Sequence, residues 1–146
     1  MTVSLSGWKV AKEITKQFPD AVSAASDQAV VANSDSLFNV AQYLKDSPEL
    51  NFDYLVNITA VDYYDYFELV YQLVSIEHNH SLALKTRHYD RDKPAAPSVV
   101  SLWQGADYQE REIFDLMGIS FEGHPNLKRI VLWQGFEGHP LRKDYL

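Results

Sequence analysis

Three runs dense in β-branched and aromatic residues, Phe52–Val61, Phe67–Ile76 and Leu82–Tyr89, follow one another with only five residues in each gap. A parallel neighbour would need a crossover of about a dozen residues or more, so gaps this short predict three antiparallel strands joined by hairpins. Such a sheet must bury at least one face, and the flanking segments supply cover. Val10, Ala11, Ile14 and Phe18 recur at helical spacing before Pro19. Leu37, Val40, Ala41 and Leu44 do so again, with Asp35 placed to cap that helix and Pro48 to end it. Between them the small and polar residues from Ala21 to Asn33 alternate, which predicts a short hairpin turning near Asp27. A charged, proline-bearing loop, Asp90–Pro97, leads to a third helix from about Gln104 to Met117. Gly118 stands where a left-handed residue ends a helix, with Ile119 as the apolar contact that accompanies such a cap.

The expected fold class is therefore α+β: a small, mostly antiparallel sheet covered by helices, with an extended C-terminal arm. Residues 1–118 form the globular domain, and 46% apolar content suffices for one core. Residues 119–146 carry glycine and proline with little periodicity. That is too long for a routine loop, so the segment is expected to be an arm of the same structural unit, ordered on a partner.

The chain has no cysteine, which excludes disulfides, thiolate zinc sites, cysteine-held iron–sulfur clusters and thiol nucleophiles. A formal charge of -7 and a pI near 5.1 offer no cationic footprint for nucleic acid. No apolar run approaches the ~20 residues that span a bilayer. Residues 1–18 also lack the pattern of a signal peptide, so a cytoplasmic location without direct membrane insertion is expected.

Chemistry-bearing residues concentrate in the third helix and beyond. Asp107, Arg111 and Asp115 are four apart and share a face, where the arginine can bridge both carboxylates. They form either a solvated charge ladder or an anchor for the basic tail. Glu110 points about a quarter turn away, towards Ile113, Phe114 and Met117. Downstream, Phe121-Glu122-Gly123-His124-Pro125 recurs fifteen residues later as Phe136-Glu137-Gly138-His139-Pro140. Each copy leads into a basic pair, Lys128-Arg129 and then Arg142-Lys143. Glycine permits a turn and proline holds the next step extended, which suits wrapping around another surface; two coincidental turns would read the same. Two rival chemistries stay open on residues alone. His78 and His80, near Glu77 and with His88 further on, or His124 with His139, are candidate metal ligands. Glu110 or Glu112 with Asp115 could divide acid and base roles in a hydrolase. A generic adaptor is a third alternative.

The runs Ser98–Trp103 and Ala106–Ile119, with Glu110-Arg111-Glu112, Asp115-Leu116 and Gly118-Ile119 at their centre, resemble the signature of the 30 kDa (C-type) subunit family of NADH:quinone oxidoreductase, respiratory complex I. Phe121, Gly123-His124-Pro125, Leu127–Ile130 and the closing Gly138–Tyr145 are similar to the rest of its pattern, and Leu55–Tyr63 and Phe67–Tyr71 to its weaker sheet motifs. Tyr108 departs from the usual Trp, and Leu132–Phe136 from the usual proline-acid-Trp stretch.

The resemblance implies a peripheral subunit on the cytoplasmic side of the membrane. It would lie against the 49 kDa-type (D-type) partner and neighbouring iron–sulfur subunits. No cofactor is expected on this chain, the FMN and iron–sulfur clusters lying on other subunits, and electrons would pass from NADH to quinone with coupled proton transport. Ferredoxin- or F420-linked and membrane-hydrogenase relatives share the family. The residues expected to dock are Glu110, Arg111, Phe121, His124, Arg129, Phe136, His139, Leu141, Arg142 and Lys143. Phe121, Phe136 and Leu141 would be apolar anchors, the cations would face acidic rims, and Glu110 and Arg111 would brace the start of the arm.

Overall fold

The computed structural model describes residues 2–133 and 135–145. Strand β1 (Val3–Ser4) leads into helix α1 (Gly7–Gln17), the hairpin β2 (Val22–Ala25) and β3 (Ala29–Ala32), and helix α2 (Leu37–Asp46). The meander β4 (Tyr54–Asp62), β5 (Phe67–Ser75) and β6 (His80–His88) follows, then β7 (Ala95–Pro97), α3 (Ala106–Met117) and β8 (Ser120–Glu122).

The meander is antiparallel throughout, as its short gaps dictate, with Asp62 opposite Phe67 and Ser75 opposite His80. The hairpin expected near Asp27 is present. It joins the larger sheet in parallel, however: β3 runs beside β6 from Ala29 opposite Ala83 to Ala32 opposite Thr86, and β1 lies parallel to the start of β6. Helix α2 and two strands separate β3 from β6, ample for a crossover. The sheet order is β2-β3-β6-β5-β4. The loop before α3 is more regular than its sequence suggests, because Ala95–Pro97 pairs in parallel with Ser120–Glu122.

Alternate residues of β5 and β6, Phe67, Leu69, Tyr71 and Leu73 with Leu82 and Leu84, are buried with Val10 and Ile14 of α1 and Leu37, Val40 and Leu44 of α2. Helix α1 starts hard against the first hairpin. Gly7 N–H donates to Asp27 O at 3.0 Å, and a Cβ at Gly7 would overlap the carbonyl oxygens of Ser26 and Ala29. Asp35 is not the cap of α2; it sits inside a single 3-10 turn, Ser34–Ser36, that feeds the helix. Gly118 ends α3 at φ +75° with its N–H on Phe114 O, and Ile119 is buried beneath it. Regular structure continues to Glu122, and Phe121, 2% exposed, lies in the core.

Candidate functional site

The polar side chains of α3 hold the C-terminal segment down on the domain. Asp115 is fully buried. Its Oδ1 accepts from Arg129 Nη1 at 2.7 Å, and its Oδ2 accepts the backbone N–H groups of Ile130, Val131 and Leu132 at 3.2, 2.8 and 2.8 Å. Burial alone would raise the pKa of this carboxyl. The three backbone donors together with Arg129 outweigh it, and the group lies below the ordinary carboxylate value. Arg129 also donates to Gly138 O at 3.0 Å and lies 5.8 Å from the ring of Phe136, which ties the first basic pair to the second copy of the repeat.

Arg111 does not bridge Asp107 and Asp115. Asp115 turns inward to four donors, and Arg111 instead donates to the carbonyls of Lys128 and Arg129 at 3.2 and 3.3 Å. Arg111 thus contacts the segment directly, whereas the hydrogen bonds of Glu110 go to the residues before α3. Glu110 is fully buried and accepts Ser98 Oγ–H at 2.6 Å and Val99 N–H at 2.8 Å, fixing the entry to α3. Burial raises its pKa against those two hydrogen bonds.

The pentapeptide repeat is a repeated clasp. Gly123 and Gly138 adopt the same left-handed conformation, φ +85° and +86°. Each turn aims its histidine at α3. His124 Nδ1 accepts from Asn126 N–H at 2.9 Å, which leaves the Nε2 proton to face Asp107, 3.2 Å from its carbonyl and 3.0 Å from Oδ1. His139 Nδ1 donates to Asp115 O at 2.8 Å, its ring lying against Gly118. One clasp grips the first turn of α3 and the other the last.

A second fastening lies at the end of β4, where sequence offers only a weak signal, an acid closing an apolar strand. Asp62 is buried and accepts both Arg91 Nη groups at 2.7 and 2.9 Å together with the N–H groups of Tyr64 and Lys143 at 2.9 Å. The Arg91 guanidinium holds its pKa far below the carboxylate range. Arg142 donates to Arg91 O at 2.7 Å and to Asp144 Oδ1 at 3.0 Å. The guanidiniums of Arg91 and Arg142 lie 4.6 and 4.9 Å from the ring of Phe67, and Lys143 Nζ lies 4.9 Å from that of Tyr64.

The expected docking residues therefore divide. Arg111, His124, Arg129, His139 and Arg142 meet on the inner side of the segment, where Asp115 and Asp144 supply the anions expected of a partner. Lys143 is tethered through its backbone, Glu110 is buried on Ser98 and Val99, and Phe121 is interior. Phe136 is half-buried against Trp133, ring centroids 6.4 Å apart. Leu141 is tied by its N–H to Leu116 O, yet its side chain is 60% exposed. With it Val131, at 59%, and Trp133, at 70%, face outward, and Ile130 and Tyr145 are partly so. Trp133 is an addition to the expected anchors.

Of the rival ligands, His78 Nε2 lies 2.7 Å from Pro48 O and His80 Nε2 2.6 Å from Leu50 O, while His88 is buried with its Nε2 unpartnered. No group of three metal-ligating side chains forms among the described residues. Glu112 is exposed while Asp115 is buried under the segment, so the two share no cleft.

Fold and site together define a class: an α+β domain that fastens its own C-terminal segment across a helix and leaves a row of apolar side chains facing out. The chain belongs to the family of the respiratory-chain NADH dehydrogenase 30 Kd subunit, whose model matches residues 30–146. It is 40% identical over 149 aligned residues to the C subunit of the NADH-quinone oxidoreductase of a Roseiflexus species, covering 97% of this chain and 85% of that one. It is 38% identical to the corresponding C subunit from Cupriavidus taiwanensis, covering 92% and 72%. Among solved structures, a chain of the membrane-bound sulfane sulfur reductase, an archaeal respiratory membrane complex, superposes with a TM-score of 0.76 at 28% identity, covering 94% of this chain and 84% of that one.

Proposed function

We propose that this chain is a non-catalytic subunit of the peripheral arm of a proton-translocating NADH:quinone oxidoreductase, on the cytoplasmic side of the membrane. It docks on the 49 kDa-type subunit through the outer face of its C-terminal segment. FMN and iron–sulfur clusters reside on other subunits and carry electrons from NADH to quinone. The observation that carries this reading is the outward row Val131, Trp133 and Leu141, held in place by inward-facing charges. A tryptophan on a rigid support is the kind of side chain on which interfaces concentrate their energy.

The test is Trp133→Glu combined with Leu141→Glu in the assembled complex, followed by affinity recovery of the tagged chain. Each anchor contributes about 2 kcal/mol if it is a hot spot, so recovery of the 49 kDa-type subunit and of cluster iron is expected to fall at least about tenfold. The melting temperature of the isolated chain is expected to hold, since both side chains are exposed. Unchanged recovery would remove this docking surface. The likeness to the sulfane sulfur reductase chain favours a second reading, the equivalent subunit of a respiratory complex with a different electron donor. The donor accepted by the purified complex separates the two.

A further inference from the structure

We propose that the groove between α1 and the outer edge of β2 receives an extended acidic segment of another protein chain, which adds to the sheet as a strand beside β2. This surface is distinct from the C-terminal segment. β2 ends the sheet at the edge opposite β4, and α3 with its overlying segment packs on the β4 side.

The two edges differ in a way that points to use. At β4, Gln109 of α3 reaches over and accepts the N–H of Ile58 at 2.6 Å, blocking the edge. No strand lies outside β2 among the described residues. Natural edge strands are blunted by charge, proline, bulges or shortness; Val22-Ser23-Ala24-Ala25 carries no charge and no proline, and only its four-residue length and the bulge at Ser23 limit pairing. The bulge at Ser23 leaves Ala24 and Ala25 in register with Val31 and Val30.

The groove has one wall of backbone and one of helix, the geometry by which sheet edges capture extended peptides. Trp8, Lys12, Thr15 and Pro19 line the helical wall, and Val22–Ala25 the other. Trp8 is 56% exposed and offers an apolar platform. The walls are rigidly set, because Gly7 brings α1 into contact with the carbonyls of the β2–β3 turn.

Charge selects the occupant. In a chain of net charge -7, the only charged side chains lining this groove among the described residues are Lys12 and Lys16. Lys9 is exposed on the same helix. The single carboxylate of α1, Glu13, pairs with Lys16 at 3.3 Å, and no carboxylate pairs with Lys9 or Lys12 among the described residues. An incoming strand with alternating carboxylates meets cations on the helical wall and backbone donors and acceptors on the other.

The experiment uses the full chain and two blocked octapeptides, one alternating valine with glutamate and the other valine with lysine, read by amide hydrogen exchange. The glutamate peptide is expected to slow exchange within Val22–Ala25 by about tenfold and leave β4 unchanged, while the lysine peptide does neither. Lys12→Glu with Lys16→Glu, both exposed, is expected to exchange the two preferences. Protection at β4 instead of β2, equal effects of both peptides, or no protection at millimolar peptide would each overturn the proposal. So would protection of β2 that rises with protein concentration alone, which would assign the edge to a second copy.

Discussion

At the scale of single residues the informative side chains are two buried carboxylates with opposite electrostatics. Asp115 is held ionised by four donors, whereas Glu110 has only two in a drier place. Replacing Asp115 with Ala leaves three backbone N–H groups without their acceptor and Arg129 without its carboxylate. Removing one partner of a buried pair costs on the order of 3–5 kcal/mol. Most of that loss is expected in the segment beyond Glu122, and limited proteolysis should cleave there while the domain still melts cooperatively. The same carboxylate sets an acid limit. A lowered folded-state pKa contributes stability that is complete above the ordinary value of 3.8 and disappears as pH falls through the lowered one. Asp62 and Asp144, also lowered, act in the same sense. Protease sensitivity of the segment should therefore rise only below about pH 4. Glu110 has the reverse sign. Its raised pKa means that ionisation opposes folding, with no effect below the ordinary 4.5 and a growing penalty as pH rises towards the raised value. Glu110→Gln keeps an acceptor for Val99 N–H, so its melting temperature should match the parent near about pH 4 and exceed it at about pH 8.

At the scale of elements, the repeat gives a paired prediction. Both Gly123 and Gly138 need a left-handed backbone, and alanine there costs about 1–2 kcal/mol. A Cβ at Gly123 meets nothing, whereas one at Gly138 would come within 2.7 Å of the Tyr145 ring. Gly138→Ala should release the C-terminal clasp more than Gly123→Ala releases the first, measured as exchange of the Leu141 amide against that of Asn126. The turn was legible from glycine before histidine and proline. Its purpose was not, because the atoms that receive the two histidines are carbonyls of α3, which sequence marks no differently from any other. The helices and the meander were legible because each repeats an apolar period over two or more turns or strands. The parallel seat of β3 on β6 was not, since a four-residue strand buried on both faces has no alternation to set its direction. Asp115 was legible as an anchor for the tail only as one of two alternatives; helical spacing tells which residues share a face but not which way that face looks.

For the molecule as a whole, packing sets where the chain can be cut. The core extends to Phe121 through β8. A chain ending at Pro125 should therefore fold and melt cooperatively. One ending at Gly118 loses Ile119 and Phe121, each with a cost of roughly 2–5 kcal/mol on the scale of large core truncations, and should not; circular dichroism of the two truncations decides it. The parallel pairing of β1 and β3 with β6 also bears on the birth of the protein. Ala29 closes the hairpin by accepting Ser26 N–H, but the other side of β3 has no partner until Ala83 exists. At ~5–20 residues per second, the ribosome delivers that partner several seconds after the hairpin emerges. The meander, closed by short local turns, assembles as soon as His88 is out, and only then does it offer an edge to the waiting N-terminal hairpin. The N-terminal strands of this sheet are thus made first and join it last, and they are the ones a nascent chain keeps longest within reach of chaperones.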